Sequence, residues 1–458
     1  MWYDISHLSL MHGWIPIGVQ VLTATALMWA IGWRGRRWRM LWLPVAVATG
    51  ALMALGARWC IASAAIAGGA PPASLWIWVG FGGLAVAILV LGWRSAHWWR
   101  RGLSALAVPL CALSAALVLN LWIGYFPTPH SFWIQMTSGP LSDQVDRITV
   151  TAMQRRGVRP DHGVVVSVTI NADASLFKHR DEYVYLPPAW FATNPPPRLP
   201  AVVMIGGEFN TPSDWPRAGE AIATVDRFAA LHGGAAPILV FADSGGAFDV
   251  DTECVNGTRG NAADHLTKDI VPFVVSNFAA SADRRNWGVV GFSSGGTCAV
   301  DLALMHPDIF GAFVDIAGDL GPNMGSREQT VARLFGGSVD AWASFDPVTV
   351  IGRHQRYADL AGYFAYVASP GQAAGRPNAE AEAAQTLCKL AAAKNVACVL
   401  APLPGQHDWP FAGVAFSVSL PWLAIRLGLP AAPALAKGQG STTPAVASVH
   451  ARQRAGAR

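Results

Sequence analysis

The sequence predicts an N-terminal four-helix transmembrane region followed by an α/β domain whose mainly parallel sheet is flanked by helices. Three observations carry this reading. Residues 1–126 hold four long apolar segments. From about residue 160, short apolar runs alternate with helical stretches, the pattern of a mainly parallel sheet covered on both faces. One of those runs, Trp287–Val290, breaks at Gly291-Phe292-Ser293-Ser294-Gly295 and passes at once into an alanine-rich helical stretch, Thr297–Met305. Composition agrees. Of 458 residues, 52% are hydrophobic and 14% charged, whereas soluble proteins carry about 25% charged residues; part of this chain is therefore expected in lipid.

The apolar segments run from about Trp14 to Trp33, Met40 to Ala67, Leu75 to Trp93 and Gly102 to Phe126. Each is about as long as the roughly 20 residues that cross a bilayer. A cleaved signal peptide is not expected, because the first segment begins late, lacks a basic stretch before it and is followed by three more. Tryptophans gather near the segment ends (Trp29, Trp33, Trp38, Trp42; Trp93, Trp98, Trp99; Trp122), as interfacial anchors do. Arg34, Arg36, Arg37 and Arg39 follow the first segment, and Arg94, Arg100 and Arg101 the third, while the N-terminus and the 68–74 loop carry neither Lys nor Arg. The positive-inside rule makes the two arginine loops cytoplasmic and everything after Tyr125 extracytoplasmic. Only Arg58 is ionisable within a span, near its outer end. That favours a membrane anchor over a channel or transporter. The net charge of +4 is small, and no basic run is interleaved with aromatics, so no nucleic-acid partner is expected.

Residues 127–160 are polar and turn-rich and read as a linker with a short helix. The domain from 161 to 430 is read as strands Val164–Ile170, Glu182–Leu186, Ala201–Ile205 and Ile238–Ala242, then the strand before Ser293. Ala312–Ile316, Tyr363–Val367 and Ala397–Leu400 follow. Helices are expected around Ala218–Leu231, His265–Phe278, Thr297–Met305 and Ala379–Lys394. Residues 431–458 hold too little apolar content to fold and are read as a disordered tail.

Strand, Gly-x-Ser-x-Gly and helix together form the context of a nucleophile elbow. A serine on such a turn projects its hydroxyl out of the sheet, and the helix behind it favours developing negative charge. Ser293 is the expected nucleophile. In α/β-hydrolases the chain order is Ser, acid, His, and His407, in the loop after the last strand, is the expected base. An imidazole is the side chain best suited to move protons at neutral pH. The oxyanion donors are expected to be the backbone N–H of Ser294 and that of Glu208 in the Gly206-Gly207-Glu208-Phe209 turn. Between the strand ending at Val367 and His407 the only acidic residues are Glu380 and Glu382, both opening the helix Ala379–Lys394. Glu382 is preferred as the catalytic acid, with Glu380 next and Asp319 or Asp346 more distant alternatives. No Cys-x-x-Cys or Cys/His metal spacing is present, and no metal or cofactor is called for.

On Gly291-Phe292-Ser293-Ser294-Gly295-Gly296, His306-Pro307-Asp308-Ile309-Phe310 and Gly405-Gln406-His407-Asp408-Trp409, residues 160–428 resemble the esterase D-type α/β-hydrolases, a group that includes mycolyltransferases. The four-span anchor resembles that of membrane-tethered bacterial esterases. The resemblance implies a serine hydrolase or acyltransferase working on esters outside the membrane, and a glutamate acid drawn from a helix after the relevant strand. The chain departs from many hydrolases in Ser369-Pro370-Gly371-Gln372, where an aspartate is common. The expected function is a membrane-tethered serine esterase acting on acyl esters of lipids or envelope glycolipids. Acyl transfer to a sugar hydroxyl and an inactive envelope scaffold are the alternatives. In an oxidising compartment Cys388, on the helix before the last strand, is expected to pair with Cys398 on that strand, and Cys254 secondarily with Cys298.

Overall fold

The computed structural model describes residues 8–430 apart from 12, 33, 65–70, 138, 142, 248–249 and 369–377. The tail at 431–458 and the loop at 369–372, both singled out above, lie outside the described residues. Four helices are long and apolar enough to cross a membrane: α1 (Trp14–Ile31), α2 (Leu43–Ala64, prolonged backwards by a π turn from Trp38), α3 (Ala73–Gly92) and α4 (Trp98–Ile123). Helices α2 and α3 meet through glycines. A Cβ at Gly50 would stand 2.5 Å from the Gly80 carbonyl, and one at Gly83 would stand 3.0 Å from Met53. Such small-residue contacts let helix backbones approach closely where no water drives association.

Helix α4 ends at Gly124, whose φ of 72° is the left-handed C-cap that glycine adopts at no steric cost. A Cβ there would also meet the His407 carbonyl at 2.7 Å and Asp408 Cβ at 2.9 Å. The end of the fourth membrane-length helix is therefore seated against the loop that carries His407. Tyr125 adds a hydrogen bond, donating its hydroxyl to Asp214 Oδ1 at 2.6 Å.

Residues 127–160 are more than the expected linker. They form α5 (Pro129–Thr137), the strand β1 (Gln144–Val145) and α6 (Arg147–Arg155), whose Val150 enters the core. A two-residue strand leaves no periodicity to read; it exists because it pairs in parallel with β2. The remaining strands are β2 (Val164–Val168), β3 (Glu182–Leu186), β4 (Ala201–Ile205), β5 (Ile238–Ala242), a short hairpin β6–β7 (Asn256–Gly257 and Gly260–Asn261), β8 (Trp287–Phe292), β9 (Ala312–Ile316), β10 (Ala361–Ala368) and β11 (Ala397–Pro404). Apart from the hairpin they join one sheet, ordered β1-β2-β3-β5-β4-β8-β9-β10-β11 and antiparallel only where β3 meets β2 and β5.

Alternate side chains of a strand serve opposite faces. On β4, Val203 and Ile205 join one core with Ile270 and Leu387, while Val202 and Met204 join the other with Val225 and Phe416. The helices that contribute are α7 (Asp214–Arg217), α8 (Ala221–Leu231), α9 (Ile270–Phe278), α10 (Ser294–Met305), α11 (Arg327–Phe335), α12 (Val339–Ala343), α13 (Pro347–Arg353), α14 (Ala379–Ala393) and α15 (Trp409–Arg426). Register pairs Ile205 with Gly291, Phe292 with Ile316, and Ile316 with Ala365, so the carboxyl ends of the central strands end level. Ligand sites of open parallel sheets form in that position.

Of the two expected cysteine pairs only the secondary one forms. Cys254 and Cys298 form the disulfide, with Cα atoms 5.6 Å apart, and it fastens the loop after β5 to helix α10. Cys388 and Cys398 are free thiols. The reason is direction: the Cys398 thiol donates to the Cys388 backbone carbonyl at 3.4 Å. Burial and the neighbouring Cys388 thiol push the Cys398 thiol up, which keeps it protonated. Alkylation of the unfolded, unreduced protein, followed by peptide mass mapping, is expected to label 388 and 398 and to spare 254 and 298. Labelling of all four would overturn the pairing.

Candidate active site

The strand β8 is entirely buried, and the chain leaves it through one strained residue. Ser293 has φ 59° and ψ −126°, a backbone region that L-residues occupy only when their surroundings impose it. The imposing contacts are visible. A Cβ on Gly291 would collide with the Gly295 carbonyl, and one on Gly295 would lie 2.5 Å from the carbonyls of both Ile205 and Gly206. The glycines two before and two after the serine are thus required for the turn to close. Ser293 N–H donates to the Ile316 carbonyl of β9 at 2.9 Å, and Ser294 is the first residue of α10.

His407 stands in the loop between β11 and α15. Its Nε2 lies 2.9 Å from Ser293 Oγ, and its Nδ1 lies 2.7 Å from Glu380 Oε1. The acid beside the imidazole is therefore Glu380, not the preferred Glu382. Consecutive helical residues turn by about 100°, so positions two apart do not share a face. Asn378 orients the helix start: its side chain accepts from Glu380 N–H at 3.2 Å and donates to the Val367 carbonyl of β10 at 2.8 Å. The first turn thus aims Glu380 at the imidazole. Glu382 lines a separate cavity of about 670 Å³ with Asp319 and Asp346. Those two alternatives are engaged elsewhere: Asp319 Oδ2 accepts from Asn323 at 3.1 Å, and Asp346 caps α13 through Thr349 N–H at 2.9 Å.

The turn after β4 abuts Ser293, since a Cβ on Gly207 would lie 2.8 Å from Ser293 Cβ. This places Glu208 and Ser294 on the two segments that flank the serine. The turn is braced by groups that sequence reasoning missed. Arg180 donates Nη2 to the Asn210 carbonyl at 2.8 Å while holding both oxygens of Asp243. Burial opposes ionisation of Asp243, but Arg180 outweighs it and keeps the carboxyl below its usual range. Behind it, Glu182 Oε1 accepts from Asp243 N–H at 2.9 Å. The readable signal was modest: an aspartate directly after a fully apolar strand.

Glu182 also belongs to the group whose composition suits a metal, with His179 and His265, their ligand atoms lying within 4.8 Å of one another. The geometry is that of an ionic cluster. His265 places its nitrogens against Asp269 and Glu182, whose carboxylates outweigh burial and raise its pKa. His179 faces two backbone carbonyls, and the two rings stack 4.2 Å apart rather than converge on one point. Beneath the elbow, burial pushes Asp315 up to about 8. At neutral pH it is therefore mostly uncharged.

Residues 174–422 match the family described as "Putative esterase", more than half of the chain. The chain belongs to the esterase family. As a member it is an α/β-hydrolase acting on carboxylic esters, by hydrolysis or acyl transfer. An uncharacterized protein of Corynebacterium glutamicum is 29% identical over 411 residues, 84% of this esterase and 95% of the relative. Among solved structures, the S-formylglutathione hydrolase of Agrobacterium tumefaciens is similar at 16% identity and TM-score 0.48, covering 59% of this chain and 97% of its own. MPT51 of Mycobacterium tuberculosis is similar at 18% identity and TM-score 0.39, covering 57% of this chain and 99% of its own.

Proposed function

We propose that this esterase is a membrane-tethered, extracytoplasmic serine hydrolase that cleaves acyl esters of lipids or envelope glycolipids. One observation carries the chemistry: the hydrogen-bonded line Ser293–His407–Glu380, with 2.9 and 2.7 Å between its members. His407 Nε2 accepts the Ser293 proton as Oγ attacks the ester carbonyl. Glu380 holds Nδ1–H, fixing the tautomer and stabilising the imidazolium. The negative oxygen of the tetrahedral intermediate is bound by the N–H groups of Ser294 and Glu208. Collapse expels the alcohol with the proton from His407 and leaves an acyl-Ser293 ester; a second attack, by water, regenerates the serine.

The tether is supported by four membrane-length helices, and the extracytoplasmic side by the arginine loops together with the Cys254–Cys298 disulfide, a bond of oxidising compartments. The second reading, acyl transfer to a sugar hydroxyl, uses the same acyl-Ser293 ester: the His407 side chain is 39% exposed, so an alcohol can reach the position from which water attacks.

A fluorophosphonate probe applied to intact cells is expected to label the membrane-bound protein at Ser293. Absence of labelling would argue for an inactive scaffold, and labelling only after cell lysis would place the domain on the other side. Release of free acid from a lipid ester, compared with and without added sugar, separates hydrolysis from transfer.

A further inference from the structure

Where α4 leaves its apolar stretch, the chain enters a cavity of about 740 Å³ that does not include Ser293 or His407. Its wall includes Tyr125, His130, Arg217, Arg227, Trp409 and Val418. Tyr125 follows the end of α4 by two residues. If α4 spans a bilayer, the cavity lies at the depth of the lipid headgroups. Two features of the lining indicate what fits there.

The first is charge. Arg217 and Arg227 face one carboxylate in the lining, Glu220, and neither arginine forms an ion pair among the described residues. Arg217 Nη2 donates to the Gly139 carbonyl at 2.7 Å, whereas its Nε is buried with no hydrogen-bond partner among the described residues. Among the described residues Arg227 Nη2 donates to Thr224 Oγ1 alone, at 3.1 Å. The N-terminal turns of α8 and α15 border the same space, adding the partial positive charge of helix starts.

The second is an apolar rim. Val414 and Val418, both in the lining, project from α15 at 51% and 48% exposure, and directly after the lining residues His130 and Ser131 helix α5 exposes Phe132 and Trp133 at 44% and 65%. Aromatic residues at this level are characteristic of the membrane interface. A cationic pocket with an apolar border at the end of a span is complementary to an anionic amphiphile. A cavity of this volume is ample for one small polar headgroup.

We propose that this cavity binds the headgroup of an anionic phospholipid, with its acyl chains running along Val414, Val418 and α5. The proposal rests on the membrane tether proposed above. A lipid bound here touches Trp409, the first residue of α15, directly after the loop of His407 and Asp408 that Gly124 closes against. The site therefore fixes the height of that loop over the bilayer.

The test is a titration of the full-length, detergent-purified protein with phosphatidylglycerol or phosphatidylcholine, read by native mass spectrometry. Wild type is expected to retain about one phosphatidylglycerol more than Arg217→Gln/Arg227→Gln, whose apparent affinity falls roughly 30-fold through loss of two charges. The pair Arg217→Lys/Arg227→Lys should recover most of the binding. Arg353→Gln/Arg356→Gln, outside the cavity, should match wild type, which controls for the general loss of two positive charges from the domain. Equal retention by wild type and the Gln pair would overturn the proposal. So would phosphatidylcholine that binds as tightly and is lost on the same substitutions. Should the Gln pair fail to fold, Arg227→Gln alone must weaken phosphatidylglycerol roughly fivefold, and no change would overturn the site. Alkaline carbonate extraction of host membranes reads the tether separately: release of the protein would end the tether reading, whereas the titration reads the cavity.

Discussion

Ser293→Ala, His407→Ala and the double variant are expected to lose kcat to about the same extent, by about 10⁴-fold or more on a short-chain aryl ester. Equality is the sharper half of this expectation. The serine and the imidazole act in one step, because the proton leaves Oγ for Nε2 across 2.9 Å as the carbon–oxygen bond forms. Without either group that step is lost, and removing the second costs little more. Residual activity would come from the oxyanion donors and from binding alone. Steady-state kinetics on the three variants decide it, with thermal unfolding to show that each is folded. Ser293→Ala that keeps most of its activity would end the nucleophile assignment; losses that multiply would show that the two residues act in separate steps.

Glu380→Gln is expected to lower kcat by about 10³- to 10⁴-fold with little change in KM, while Glu382→Gln stays within about threefold of wild type. Glutamine keeps the size of the side chain. It replaces an ionised acceptor with a neutral amide, which stabilises the imidazolium poorly and permits the wrong ring tautomer. Glu382 reaches a different cavity and has no contact to lose at the imidazole. A large loss for Glu382→Gln with none for Glu380→Gln would reverse the assignment. No loss for either would show that His407 works without a carboxylate partner.

The two glutamates mark the limit of what was legible. The topology of an α/β-hydrolase confined the acid to the segment between β10 and His407, and only two acidic residues occupy that segment. Choosing between them required the rotation of one helix about its axis. That rotation is set by Asn378, which caps α14 and bonds to the end of β10. The cysteines repeat the lesson. Spacing brought Cys388 and Cys398 onto adjacent elements, but the direction of the Cys398 thiol, toward a carbonyl, is a property of packing. Cys254 meets Cys298 because the loop after β5 folds back over α10.

From sequence alone came the four apolar spans, the alternating strands and helices, the elbow with its two glycines, and the histidine that follows the last strand. These are local facts. Hydrophobic length, periodicity and the steric need for glycine act within a few residues and leave their trace in the order of amino acids. Tertiary structure decided which glutamate meets His407, which cysteines pair, and that Arg180 and Asp243 brace the turn beside Ser293. It also decided that the end of α4 closes against the loop that carries His407. Each of these joins residues far apart in the chain through a side-chain direction, and a direction exists only once the backbone around it is packed.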